Sequence, residues 1–308
     1  MKKPFERTVS VYTCCTNAID GEFTLFEGLA QALEFCDEFV YVDGGSTDGT
    51  SQIMRQIEGI EPRVKVVESP WNEGFGRTMT TLQKNVGIVN CTKKLCMLLD
   101  ADEVYDEGVV TLFNDPKVYD FLARNPQVAG LRFGVAHLYG TYEKRCLRDP
   151  MMGYPYYQQK VYGFRNHTGV HHGDVQGDPD ILVDNANAPI DCSEWCGGTV
   201  YHYGHVRSKE AYLWKKNAIE RRFHPDWVDL ITWDWAGLMS GHDEYFIGFP
   251  ERTSGVSPHP KVMEQRMATT VDERGFVKRE EIRKYYMSYV RNLIGTVIPQ
   301  IQERRGNE

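Results

Sequence analysis

No stretch of the 308 residues approaches the ~20 consecutive apolar positions that a membrane-spanning helix requires. No apolar run follows Met1-Lys2-Lys3-Pro4 to act as a signal peptide, so the expected location is the cytoplasm. An excess of basic charge is lacking too. Against 43 Asp and Glu stand 35 Lys and Arg, a formal net charge of −8. That balance makes nucleic acid an unlikely partner, because affinity for a phosphate backbone rests on concentrated Lys and Arg. Arg274, Lys278, Arg279, Arg283, Lys284 and Arg291 do crowd the C-terminal stretch, and read as a solvated helix surface. Zinc-like cysteine spacing is missing as well: Cys192 and Cys196 form one near pair with no second to match it. Cys14, Cys15, Cys36 and Cys96 lie in apolar runs, where a free thiol in a reducing compartment behaves as a small hydrophobe. Neither an internal repeat nor a low-complexity linker divides the chain.

What is present is enough apolar content, 41%, for one large domain with or without a C-terminal elaboration. The first hundred residues alternate two periodicities. Thr8–Thr13 is short and β-branched, Phe23–Phe35 repeats apolar residues at helical spacing, and Phe39–Val42 is again strand-like. Ser51–Ile57 and Thr78–Val89 read as helices, and Val64–Val67 and Leu95–Leu99 as strands. A repeated βα pattern predicts a mostly parallel central sheet with helices on both faces.

Two acidic clusters close strands in this pattern. In Asp43-Gly44-Gly45-Ser46-Thr47-Asp48-Gly49-Thr50 the glycines, Gly45 among them, let a bulky ligand approach, and Ser46, Thr47 and Asp48 are able to cap the following helix. Asp43, at the end of its strand, is placed to accept hydrogen bonds from a nucleobase or ribose. In Leu99-Asp100-Ala101-Asp102-Glu103, an extended backbone would point both aspartates into one site. Hard oxygen donors of that kind favour Mg2+ or Mn2+ with positions left for substrate phosphates.

In order and spacing, these two clusters resemble glycosyltransferase family 2, whose members have the GT-A fold and use a nucleotide-sugar donor. The resemblance extends to Thr13 and Asn17 upstream, and to Trp71-Asn72-Glu73-Gly74-Phe75-Gly76-Arg77 and Lys84-Asn85 between the clusters. Further on, Lys160–Arg165 leading to Val170-His171-His172 resembles a segment that ends in His-Glu in many members glycosylating lipopolysaccharide cores or peptides; here His172 stands in place of the Glu. The resemblance implies that Thr13, Asn17, Asp43 and Gly45 line the nucleoside pocket, that Arg77 helps hold the donor phosphates, and that Asp100 contacts the ribose or supports the metal. It implies Asp102 as ligand of the cation bridging the diphosphate, with His202 of Tyr201-His202-Tyr203-Gly204 completing that site. It implies a GT-A domain over residues 1–205, with a nucleotide-binding half to about residue 110 and an acceptor-side half beyond, then a mainly helical extension over 206–308.

The transfer step needs a group near the acceptor hydroxyl to take its proton. His172 and Asp174 are the candidates, within a polar stretch that also holds His171, Asp178 and Asp180. Tyr139, Tyr142, Tyr154, Tyr156, Tyr157 and Tyr162, followed by Trp227, Trp233 and Trp235, supply aromatic faces for an acceptor sugar or for a Tyr-rich core. The expected function is metal-dependent transfer of a sugar, from a nucleoside diphosphate sugar such as a UDP-sugar, to a hydroxyl of a saccharide or glycoconjugate. Transfer to a modified nucleic-acid base or protein side chain is the first alternative, and a non-catalytic carbohydrate- or nucleotide-binding module the second. A nucleotidyltransferase would carry a Gly-rich basic segment after its first strand, which Thr13-Cys14-Cys15-Thr16-Asn17 is not.

Overall fold

A computed structural model describes residues 8–76, 78–146, 159–173, 181–190, 194–223, 246–248 and 259–306. The N-terminal strands and helices are β1 (Val9–Cys15), α1 (Leu25–Leu33), β2 (Glu38–Asp43), α2 (Thr50–Ile60), β3 (Val64–Glu68), α3 (Thr78–Asn90) and β4 (Leu95–Leu98). Each falls within a few residues of the position its hydrophobic period indicates. β1 pairs in parallel with β2 on one side and β4 on the other, and β2 with β3. Every residue of β1 except Cys14 is buried, as expected for a strand covered on both faces.

The chain runs outward from β1 to β2 and β3, then returns across the sheet to β4. Right-handed crossovers therefore place α1 and α2 on one face and α3 on the other. Packing at two glycines fits this arrangement. A Cβ on Gly28 of α1 would lie 3.0 Å from Leu99, and one on Gly87 of α3 would lie 2.7 Å from the Tyr12 ring. The reversal of strand order beside β1 opens a crevice at the carboxyl ends of β1, β2 and β4.

Beyond β4 come β5 (Glu103–Tyr105), α4 (Glu107–Asn114), α5 (Pro116–Arg124), β6 (Gly130–Tyr139), β7 (Lys144–Cys146), β8 (Gln159–Arg165), β9 (His171–His172), β10 (Leu182–Val183) and β11 (Glu194–His205). Asp106 caps α4 through the Val109 amide and Asp115 caps α5 through the Lys117 amide, with Pro116 opening that helix. β8 joins β4 and β6 by antiparallel pairing, and β11 lies parallel to β6 and antiparallel to β5. The ten-stranded sheet is thus parallel under the crevice and mixed at its far side, where a short β12 (Phe246–Gly248) pairs with β7.

The C-terminal part contributes α6 (Lys209–Phe223), α7 (Glu264–Thr269), α8 (Arg279–Asn292), a π-helical turn at Leu293–Val297, and α9 (Ile298–Gly306). Its apolar residues, from Met263 to Ile301, belong to the same core cluster as β1 and α1. The fully buried Arg266 secures the join. Its guanidinium pairs with the equally buried Glu27 at 3.0 Å, donates to the carbonyls of Glu22 and Phe23, and meets the hydroxyls of Tyr142 and Tyr286. Two of the basic residues read as solvated surface instead pair with Asp20 of the N-terminal half, Arg279 at 3.5 Å and Arg283 at 2.8 Å. No helix among the described residues is long and apolar enough to cross a membrane.

Candidate active site

The glycine-rich loop after β2 is held by its own side chains and by the end of β1. Asp43 accepts from the Ser46 hydroxyl at 2.6 Å, from the Ser46 amide and from the Tyr41 hydroxyl. Asn17, with a left-handed backbone (φ 56°), accepts from the Thr47 amide at 2.7 Å and donates its own amide to the Ser46 hydroxyl. Asp48 accepts from the Thr50 amide at the start of α2 and from the Asp20 amide, although the N-cap itself is Gly49, which has no side-chain cap bond. Gly45 (φ 91°) and Gly49 (φ 100°) take conformations that favour glycine, whereas Gly44 is required for another reason. A Cβ there would lie 2.0 Å from the Thr16 hydroxyl oxygen and 3.3 Å from the Cys15 carbonyl oxygen. The hydroxyls of Thr13 and Thr16 make no hydrogen bond although both oxygens are buried. Both residues stand at the carboxyl end of β1, where two buried polar atoms without a partner call for one.

Ala101 and Asp102 form a turn, closed by the Glu103 amide donating to the Asp100 carbonyl, rather than the extended segment expected. The period of two does not hold through it, and the two aspartates meet different partners. Asp100 is clamped between two cations, Lys84 of α3 at 2.8 Å and Lys160 of β8 at 3.1 Å. Beneath it Glu103 accepts from the Asp100 amide and from the Tyr162 hydroxyl at 2.7 Å. Burial raises the Glu103 carboxyl to about 8 against the attraction of Lys160, with the Asp100 charge adding to the rise.

Asp102 faces the other way. β11 runs between β5 and β6, with His202 opposite Glu103 on one side and His137 on the other, and this brings the His202 Nε2 to 3.6 Å from Asp102 Oδ1. Lys215 of α6 lies 2.5 Å from Asp102 Oδ2, and the buried Arg207 lies 3.4 Å from it. Burial opposes ionisation of Asp102, yet Lys215, His202 and Arg207 outweigh it and hold the carboxyl far below its usual range. Burial lowers the His202 imidazole to about 4 despite Asp102, with Lys215 adding to the effect. The neutral ring places Nδ1 3.2 Å from Nδ1 of the buried His137. Only one of those nitrogens carries a proton, and when it is that of His202, the lone pair on Nε2 points at Asp102.

A divalent cation fits this pair of donors. Two ligands each about 2.1 Å from one ion lie within about 4.2 Å of each other, a limit that the 3.6 Å separation satisfies. Gly204 leaves the space between them: a Cβ there would lie 2.4 Å from His202 Nε2 and 2.9 Å from Asp102 Oδ2. Among the described residues no three His, Cys, Asp or Glu side chains converge on one point. Two protein donors suffice for a cation that takes its other ligands from phosphate and water.

His172 lies elsewhere. Its residue is 1% exposed, its Nε2 is 2.7 Å from the Tyr12 hydroxyl, and its backbone exchanges two hydrogen bonds with the Asn85 side chain. The ring packs edge-on against Tyr12, and the backbone bonds to Asn85 join this segment to α3. Asp174, Asp178, Asp180, Arg77, Tyr154, Tyr156, Tyr157, Cys192 and the three tryptophans Trp227, Trp233 and Trp235 lie outside the described residues. Tyr139, Tyr142 and Tyr162 are buried, as in the Tyr-rich core reading.

Sequence reasoning named Lys84, Lys160 and Glu103 within family-like segments but assigned them no partner. It gave no role to Arg207, Lys215 or His137. The available signal was the Tyr-Gly-His segment itself: a residue two positions after Gly204-His205 is held in the same tight approach to the turn at Asp102.

A family model described as glycosyl transferase family 2 matches residues 10–172, more than half of the chain. Lipopolysaccharide core biosynthesis glycosyltransferase LpsC of Rhizobium meliloti (strain 1021) is 28% identical over 136 residues, which are 44% of this chain and 42% of LpsC. The chain thus spans less than half the length of this curated relative. Among solved structures, S. aureus TarS 1-349 in complex with UDP-GlcNAc is 18% identical with a TM-score of 0.31, over 44% of this chain and 39% of that one. Mannosyltransferase PcManGT from Pyrobaculum calidifontis, in complex with GDP-Man and Mn2+, is 16% identical with a TM-score of 0.40, over 72% and 66% of the two chains.

Proposed function

The chain belongs to glycosyl transferase family 2, and on that premise we propose that it moves a sugar from a nucleoside diphosphate sugar to a hydroxyl of a saccharide or glycoconjugate, with a divalent cation. The observation that carries the reading is the convergence of Asp102 and His202 on the space left by Gly204, at the carboxyl end of the parallel strands. Asp102 and His202 are the proposed ligands of Mn2+ or Mg2+. When bound, the cation neutralises charge that builds on the departing diphosphate.

The remaining roles fall to side chains around it. Lys84 and Lys160, which flank Asp100, bring two ammonium groups that attract the donor diphosphate to the same end of the crevice. Thr13 and Thr16 offer hydroxyls to the nucleoside. Asp43 and Asn17 shape the loop that walls it, since their polar atoms are already engaged within that loop. His172 and Asp174 are the proposed candidates for the base. A UDP-sugar is the proposed donor, on the strength of the family resemblance.

The test is a thermal-shift screen of UDP- and GDP-sugars with and without Mn2+. A ligand that binds only the folded state stabilises it by RT ln(1 + [L]/Kd). A shift seen with one nucleotide sugar and enlarged by Mn2+ supports the reading. The absence of any shift across the panel, in protein with a normal unfolding transition, refutes it.

A further inference from the structure

The carboxylate proposed to hold the cation already has a cation on it. Lys215 Nζ is 2.5 Å from Asp102 Oδ2, the oxygen nearest the space that Gly204 leaves open. The second basic partner, Arg207, is fixed: its side chain is fully buried, donates to the Gly21 carbonyl and lies over the Phe23 ring. Lys215 also reaches the Gly204 carbonyl at 3.4 Å and lies 5.7 Å over the Phe23 ring, but it is less enclosed. Its side chain is 20% exposed, and a four-carbon stem carries its charge, so its ammonium can move several ångströms without unfolding α6.

A divalent ion and this ammonium compete for one carboxylate. Displacing Lys215 by the ion alone leaves the ammonium beside a newly bound cation, which is unfavourable. A nucleoside diphosphate arriving with the ion brings the anion that the released ammonium needs. We propose that Lys215 makes cation and nucleotide binding conditional on each other, closing the Asp102 site to a divalent ion until a diphosphate is there to receive the lysine. The inference rests on the reading of Asp102 and His202 as cation ligands, and Lys215 acts through that site as a positioning residue.

Binding rather than turnover tests it. Mn2+ is titrated calorimetrically into the full chain, alone and with saturating UDP or GDP, and corrected for Mn2+ held by free nucleotide. Wild type, Lys215→Met and Lys215→Arg are compared. In wild type the nucleotide should raise Mn2+ affinity about tenfold or more, and Mn2+ should raise nucleotide affinity by the same factor. In Lys215→Met, Mn2+ alone should bind about tenfold tighter than to wild type and the mutual enhancement should shrink. Lys215→Arg, which keeps the charge, should retain the wild-type pattern. Equal Mn2+ affinity and equal enhancement in wild type and Lys215→Met overturn the inference while leaving the cation site standing. Nucleotide binding with no Mn2+ uptake in any variant overturns the cation reading, and the inference with it.

Discussion

Gly44→Ala isolates why the donor loop is built as it is. The added Cβ would lie 2.0 Å from the Thr16 hydroxyl oxygen, and 3.3 Å from both the Thr16 Cβ and the Cys15 carbonyl oxygen. The first contact is far inside van der Waals range, so something must move, and both the β1 end and the loop are tied down by backbone bonds. The Gly44 amide donates to the Cys15 carbonyl at 2.9 Å, and the Trp71 amide donates to the Gly44 carbonyl at 2.8 Å. Overpacking at so constrained a point costs about 1–3 kcal/mol. Thr16→Ala removes the offending oxygen, which has no hydrogen-bond partner to lose, but leaves the Cβ. Alone it should cost under about 1 kcal/mol, and combined with Gly44→Ala it should return part of the loss. The double-mutant cycle, measured by urea unfolding, should give a favourable coupling of about 0.5–2 kcal/mol. Strictly additive costs would refute the steric account and leave the glycine to be explained by ligand approach alone.

Other consequences follow from the same geometry. Gly204→Ala, which would press on His202 Nε2 and Asp102 Oδ2, should lower kcat/KM about 100-fold or more, while overpacking costs about 1–3 kcal/mol and leaves the protein folded at assay temperature; loss of activity in step with unfolding would point to a structural glycine instead. Arg266→Met strands Glu27 in the core and should destabilise the fold by about 3–5 kcal/mol, read from denaturant midpoints. His259, buried with its Nδ1 3.0 Å from the Tyr203 hydroxyl, has its imidazole pushed down to about 4 by burial. The unfolded chain therefore binds a proton between pH 6.5 and 4 that the folded chain refuses, so stability falls as pH drops through that window. Relative to wild type, His259→Gln should gain up to about 3 kcal/mol on going from pH 7 to pH 4, whereas parallel pH profiles would show that His259 is not the group responsible.

The architecture was legible because its signals are local. Strands such as Val9–Cys15 and helices such as Leu25–Leu33 carry their period in consecutive residues, and Asp43 and Asp100 to Asp102 mark strand ends wherever the strands lie. The same locality misled at Asp100-Ala101-Asp102. A period-two argument assumes extended backbone, and the Glu103 amide closes a turn there instead. The place of His172 in a motif likewise says nothing of the tyrosine that packs against it from β1.

Sequence by itself determined the α/β alternation, the family, and the positions of the carboxylates, all of which depend on neighbours along the chain. Which cations face those carboxylates was decided only by tertiary structure. Lys84 and Lys160 reach Asp100 from a helix and a strand 16 and 60 residues away, and Arg207 and Lys215 reach Asp102 across 105 and 113. Charge pairing acts over a few ångströms of space and takes no account of separation along the chain, so the electrostatic state of the site exists only once the sheet has closed.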